Sequence, residues 1–306
     1  VYGISCAGWG PVQGLLLIDQ ALAFRPRLVV QAFYAGNDLF DSFQSVYVEG
    51  KLPELATADA ALSEALGEAQ RRETLEANYQ RQYTLVFGPE DEAPPAEPVA
   101  ASFRGFLREH SRLYRLAAIL RWSATSRRSS DWEGLKEEIS TGPAAASCAV
   151  LEKGDLRTVL TPVYRSGALD LDDPRLAEGL RIAEQAFALS RERAHAAGAG
   201  YVVLIIPTKE LAFADAAAEV LAGNRDYAEL IRREEAIRSR LAQFLRERGI
   251  PSADALPALQ ASIARGVQPY PESPDGHPNP AGQRVIADAV AAEMARLGLL
   301  SEGPSR

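Results

Sequence analysis

A chain of 306 residues with 47% hydrophobic content can bury a sizeable core and is too apolar for wholesale disorder. Its net charge of −8, with no basic stripe interleaved with aromatics, argues against nucleic acid as a partner. The two cysteines (Cys6, Cys148) and three histidines (His110, His195, His277) make neither a disulfide framework nor a side-chain zinc site.

The chain opens on Val1 inside an apolar run, with no charged leader, and the expectation is that residues precede it. No later apolar run is long enough to cross a bilayer. Residues 1–5 read as the end of a strand, and 6–11 (CAGWGP) as a glycine-bearing turn. Over 12–24, Leu15, Leu16, Ile18 and Leu22 share one helical face, and Pro26 stops the helix. Residues 28–34 (LVVQAFY) form a nearly continuous apolar run and read as a buried parallel strand. That strand ends in the polar turn Ala35, Gly36, Asn37, Asp38, at the kind of carboxyl end where open α/β sheets bind ligands.

From 44 to 165 the order blurs. Residues 54–82 are Ala- and Glu-rich and read as helical, 90–98 (EDEAPPAEP) as a solvated linker, 103–122 as an amphipathic helix, and 123–130 as a polar break. The region is expected to be a largely helical insertion, either a lid or a structural appendage. Regularity returns with a helix over 174–197 ended by Gly198 and Gly200, then a buried strand over 201–206 (YVVLII) closed by Pro207, Thr208 and Lys209. A charged helix follows at 226–248, with Leu230, Ile237, Leu241 and Phe244 inward and its RREE and RER runs solvated; 250–253 reads as a short edge strand. This alternation is the α/β doubly wound pattern.

The stretch 271–282 (PESPDGHPNPAG) concentrates the chemistry. His277 follows Asp275 by two residues in a proline-framed loop, and Asn279 with Pro280 read as the cap and first position of a helix. A histidine beside an orienting carboxylate is what general-base catalysis needs; the plainer reading is a surface turn ending in a helix cap. Three turns, at 6–11, 35–38 and 275–277, can meet at one sheet edge. A glycine N–H and an asparagine amide would donate to an oxyanion there, and the His–Asp pair would move protons. A nucleophile is missing from the set.

In these blocks the sequence resembles the SGNH (GDSL-type) hydrolases. GISCAGWGPVQ (3–13) is similar to the family's glycine block, with Gly8 at the oxyanion glycine; PRLVVQAFYAGNDLFD (26–41) to its asparagine block, with Asn37 as second donor; and DGHPNPAG (275–282) to its terminal block, with His277 as base. IPTKE (206–210) resembles a strand end in one branch of these proteins. The family's serine block, a central strand ending in Gly-Asp-Ser, should precede the glycine block. The sequence is therefore either a fragment, the favoured reading, or a version without the usual serine. The compartment is left unknown, with export or membrane anchoring through a missing N-terminus as a family-based expectation. The family's acid commonly lies three residues before the histidine, where this chain has Pro274. Asp275 is therefore taken as the orienting carboxylate, with Glu272 the weaker candidate.

The resemblance implies a three-layer α/β/α sandwich with a flavodoxin-like, mostly parallel sheet, its core at 1–43 and 166–300, an insertion at 44–165 and a tail at 301–306. It implies a serine-type ester hydrolase or O-acyl (acetyl) transferase acting on acylated carbohydrate or similar esters, with the serine upstream of Val1 and with no metal or organic cofactor. The alternative is a non-catalytic domain that binds glycan or a membrane acyltransferase partner. Ser5 is one residue short of a G-x-S-x-G elbow and is read as structural, and Cys6 as a buried thiol. Lys209 is read as a strand-end lysine facing solvent, with charge neutralisation at the site as the alternative. Asp38 is expected to cap its own turn, and His110 and His195 to be bystanders on helices.

Overall fold

The computed structural model describes residues 2–4, 8–87 and 132–299. The linker expected at 90–98, the helix at 103–122, the break at 123–130, Ser5, Cys6 and His110 lie outside those residues.

A parallel sheet carries the fold. Strands β1 (Leu28–Tyr34), β4 (Gly200–Ile206) and β5 (Ser252–Asp254) lie in the order β1-β4-β5, with Leu28 opposite Gly200 and Tyr34 opposite Ile206. Helices α1 (Pro11–Ala23) and α7 (Pro174–Ala196) pack on the face that carries Phe33, whose ring meets Phe187 edge-on at 6.1 Å. Helices α10 (Arg225–Glu247), α11 (Leu256–Ala264) and α12 (Pro280–Arg296) contribute Leu230, Ile237, Leu241, Leu259, Ile286 and Val290 to the same core cluster. The molecule is an α/β sandwich, as the alternating pattern predicts. No helix of the described residues is long and apolar enough to cross a membrane.

Between the sheet strands lie α2 (Asp38–Phe43), a π-turn (Gln44–Val48), α3 (Ala60–Arg72), α4 (Leu75–Phe87), α5 (Trp132–Thr141), the antiparallel hairpin β2 (Ala149–Lys153) and β3 (Leu156–Leu160), and α6 (Pro162–Ala168). The hairpin is absent from the helical reading of this region. It is short, and its alternation (Leu151, Thr158 and Leu160 inward) is easily lost beside the Ala- and Glu-rich helices. Short helices α8 (Lys209–Ala212) and α9 (Ala214–Ala217) follow β4.

Four local expectations change. Residues 2–4 form no strand: they are exposed coil, and Tyr2 stacks on Phe24 at 5.2 Å. Strand β1 is not buried throughout; it lies at the edge of the described sheet, with Gln31 and Phe33 inward and Val30 41% exposed. On α1, Leu16 leaves the apolar face and is 41% exposed, while on α10 Phe244 packs half-buried against the core as expected, its ring 5.4 Å beneath the Arg248 guanidinium. The RREE run of α10 is not wholly solvated either. Its Glu234 is 0% exposed and accepts the Thr208 backbone N–H at 2.8 Å and the Thr208 hydroxyl.

The joint between α2 and α7 depends on Gly179, where a Cβ would stand 2.1 Å from the Leu39 carbonyl oxygen. Gly179→Ala should therefore cost about 1–3 kcal/mol, read as a lower denaturant midpoint at unchanged m-value. Burial pushes the Glu234 carboxyl up to about 7, against hydrogen bonds from Thr208 that lower it. The folded state thus holds this proton more tightly than the unfolded chain, so the contribution of Glu234 to stability falls as pH rises from the free carboxyl range to about 7. Glu234→Gln should remove that slope, gaining on the wild type by up to about 1.4 kcal/mol per pH unit in that window. Parallel melting curves of the two proteins would expose the idea as wrong.

Candidate active site

Parallel pairing places the carboxyl ends of β1, β4 and β5 on one edge, where the backbone continues in register: the Ala35 N–H donates to Ile206 O at 3.1 Å, and that of Ala255 to Ile205 O at 3.0 Å. The turn after β1 therefore sits beside Pro207–Lys209, and the loop before α12 closes over both.

That loop is held at each end. On its entering side the β3 strand reaches across: Val159 N–H donates to Glu272 O (3.0 Å) and the Thr158 hydroxyl to Pro271 O (2.9 Å). On its leaving side Asn279 accepts the N–H groups of Ala281 (2.9 Å) and Gly282 (3.0 Å), capping α12 as its sequence predicts, while its own amide donates to Gln268 O at 2.7 Å. Beneath the loop, Lys209 Nζ donates to Ser273 O (2.9 Å) and Asp275 O (3.1 Å). Lys209 is 0% exposed, so its reading as a solvent-facing lysine is corrected. A strand end looks like an exit to solvent in a linear sequence, but here the terminal loop covers it.

The loop presents the His–Asp pair. Asp275 Oδ1 accepts the His277 backbone N–H at 2.9 Å and lies 2.5 Å from His277 Nδ1. Burial raises the Asp275 carboxyl, but the hydrogen bonds from His277 outweigh it and hold the group below the ordinary carboxylate range. With Nδ1 engaged, the other ring nitrogen is the one free to take a proton, and the His277 side chain is 90% exposed. Glu272, the weaker candidate acid, is exposed; its carbonyl accepts the Val159 N–H.

Gly276 is buried between the pair and the β1 turn. A Cβ there would stand 2.6 Å from Arg165 Nη2 and 3.3 Å from the Tyr34 hydroxyl, so any larger residue would have to displace the guanidinium. Arg165, from α6, is buried over the Tyr34 ring (5.6 Å) and the Tyr164 ring (4.8 Å), and its Nη1 lies 3.5 Å from Gly36 O. One guanidinium thereby joins the turn that carries Asn37 to the loop that carries His277. No motif marks Arg165 in the sequence. Its role comes from long-range packing alone.

Asn37 heads α2 without capping it through its side chain; its amide donates to Asp41 Oδ2 at 2.7 Å, leaving one N–H of the amide for another acceptor. Burial pushes the Asp41 carboxyl up to about 7, aided by Glu49 and Glu76. Asp38 is buried and bonds back to its own turn, accepting the Tyr34 N–H at 2.8 Å, and burial raises it well above the ordinary range. The glycine turn reaches the same place from the other side. Gly10 lies against α2, its Cβ position 3.2 Å from Asp38 Oδ1 and 3.5 Å from the Asp41 Cβ. Gly8 adopts φ +72°, is exposed, and has no neighbour within 4 Å of its Cβ position. The structure thus brings Gly10 of the glycine turn and Arg165 beside the asparagine turn, whereas Gly8 itself is exposed and makes no contact with Asn37 or His277 among the described residues. His195, in the last turn of α7, is exposed and distant in sequence from every one of these elements. Cys148 is half-buried, and burial pushes its thiol up to about 11. Among the described residues no group of three or more His, Cys, Asp or Glu side chains could hold a metal.

No curated protein and no solved structure matches the chain. Residues 165–306 match the family model described as SGNH hydrolase-like domain, acetyltransferase AlgX. The match begins at Arg165 and takes in Lys209, Asp275 and His277; Gly8 and Asn37 precede it, and Gly8 rests on its motif alone. Over that C-terminal stretch the chain is similar to the SGNH hydrolase-like family, which supports an acyltransferase- or esterase-like function.

Proposed function

We propose that this chain carries the general base and oxyanion donors of a serine-type ester hydrolase or O-acyl (acetyl) transferase acting on acylated carbohydrate or similar esters. The observation that supports it most directly is the Asp275–His277 pair, whose 2.5 Å contact occupies Nδ1 and leaves the opposite ring nitrogen outward. The acetyltransferase description of the matching family favours transfer of an acyl group as the overall reaction.

In this reading a serine hydroxyl, from a block ahead of Val1 as the family's order implies, attacks the ester carbonyl. His277 takes its proton through Nε2 while Asp275 holds Nδ1–H and stabilises the imidazolium. The backbone N–H of Gly8 and the remaining N–H of Asn37 receive the oxyanion. Collapse of the tetrahedral intermediate returns the proton through His277 to the leaving oxygen. Water or an acceptor hydroxyl, deprotonated by the same ring, then releases the acyl group.

The test uses the gene product with whatever residues its gene encodes ahead of Val1. A fluorophosphonate should form one serine adduct, and His277→Ala should abolish both the adduct and the turnover of a chromogenic acetyl ester, by about 10⁴-fold or more. Because the ring is exposed, the melting temperature should stay within about 1 °C of the wild type. A folded protein that takes no adduct favours the other reading, a non-catalytic domain that binds glycan or a membrane acyltransferase partner. Asn37→Ala should lower kcat by about a hundredfold or more while leaving KM within about twofold; a change confined to KM would remove Asn37 from the oxyanion site.

A further inference from the structure

Thr208, Lys209 and Glu210 are consecutive, and each is tied to a different element. Thr208 binds Glu234 of α10 and caps α8 through the Leu211 N–H at 3.2 Å. Glu210 accepts the N–H (2.9 Å) and hydroxyl (3.0 Å) of Thr161, at the head of the helix that carries Arg165. Lys209 reaches the terminal loop. Both of its partners are main-chain carbonyls, Ser273 O and Asp275 O, gathered onto one ammonium at 2.9 and 3.1 Å.

Removing an ammonium from water is unfavourable, and a methionine would fill the same volume without that penalty. What the ammonium provides, and a thioether does not, is several donors at one point, so that carbonyls two residues apart can turn to the same side. Fixing the Asp275 carbonyl fixes the residue whose carboxylate grips His277. Arg165 and Tyr34 then confine Gly276 from beneath. We propose that Lys209 is a positioning residue, clamping residues 273–277 from below so that Asp275 and His277 keep the geometry of a proton-transfer pair. The functional meaning of this clamp rests on the reading of His277 as the base; the clamp itself does not.

Charged and titratable groups face the ammonium from every side: Glu210 on its own helix, Arg165 from α6, Asp275 from the loop and Cys148 ahead of β2. Burial dominates and pulls the lysine down to about 8. The folded state therefore loses this proton before the unfolded chain does, so the contribution of Lys209 to global stability rises above about pH 8. The clamp changes in the opposite sense, because a neutral amine donates more weakly than an ammonium. Loosening of the loop with no loss of global stability is thus its signature.

Amide exchange reads this directly. In Lys209→Met at about pH 7, the Asp275 and His277 amides, bonded to Ser273 Oγ and Asp275 Oδ1, should exchange about tenfold faster, while β4 amides from Val202 to Ile205 keep their protection. The wild type should show the same local loss, after correction for intrinsic exchange, on passing from about pH 7 to about pH 9, and the variant should not. Unchanged protection of the loop in a variant whose β4 amides remain protected would overturn the proposal. If Lys209→Met fails to fold, Lys209→Gln takes its place, and unchanged loop protection in that variant with β4 still protected overturns the proposal equally. In an active preparation the variant should lose kcat at unchanged KM. A wild type with no esterase activity would refute the function proposed above while exchange still decides the clamp.

Discussion

The parallel pairing of β1 with β4, Leu28 on Gly200 through Tyr34 on Ile206, is the constraint from which the rest follows. Parallel strands put their carboxyl ends on the same edge, so the Ala35–Asp38 turn and the Pro207–Lys209 turn become neighbours although about 170 residues separate them. A one-residue slip would turn Phe33 away from Phe187 and Tyr34 away from Arg165. Register is held by apolar burial on one face and by a buried polar contact, Tyr201 hydroxyl to Gln31 Oε1 at 2.6 Å, whose Nε2 also donates to Pro11 O. The second contact orients α1 on the sheet, and with it the glycine turn that precedes the helix.

Above that edge the protein spends apolar core on polar groups. Lys209, Glu210, Glu234 and Arg165 are all essentially withdrawn from water, as is the Tyr34 ring contact that Arg165 covers. Burial of charge is unfavourable unless every partner is in place. Here each buried side chain meets backbone groups or a hydroxyl, though not at every atom: Lys209 takes two carbonyls, Glu234 and Glu210 each take an N–H and a hydroxyl, and Arg165 spans two rings beside a carbonyl, while Glu210 Oε2 and Arg165 Nε have no hydrogen-bond partner among the described residues. Such bonds fix backbone position rather than side-chain pairing. That is what a loop of Pro, Gly and Asp needs if it is to hold one shape without regular secondary structure.

The sequence makes the sheet elements legible because their signals are local. The run at 28–34 and the run at 201–206 each predict a strand within a residue of its observed limits, and Pro174, Pro280, Asn279 and Gly198 mark helix ends for direct steric and hydrogen-bonding reasons. His277 and Asp275 are legible for a similar reason, since two residues of loop suffice to bring them together. Lys209, Glu234 and Arg165 are not. A charged residue on a charged helix or at a strand end reads as solvated unless one knows what covers it, and the covers come from about 25 to 130 residues away. The β2–β3 hairpin is missed on the same ground, its role as a brace for Pro271 and Glu272 being visible only in three dimensions.

The two halves of the proposed site, the one assigned the base and the one assigned the oxyanion donors, are consequently built to different standards. The base half is over-determined: the loop that carries His277 is gripped by β3, by Lys209, by the packing of Gly276 on Arg165 and by the cap of α12. The oxyanion half rests on fewer contacts. Asn37 is steadied by two bonds with Asp41, one from its amide to the carboxyl and one from the Asp41 N–H to its carbonyl, and that raised carboxyl can change its charge near neutral pH; Gly8 is exposed in a left-handed conformation with open space at its Cβ position. A proton-transfer pair must hold a short distance through the whole reaction, which demands a rigid frame. Oxyanion donors need only converge when the tetrahedral oxygen forms, and a bound ester can supply the missing contacts itself. On the proposed function, the rigidity seen among the described residues lies where proton transfer needs it, at the loop that holds Asp275 and His277.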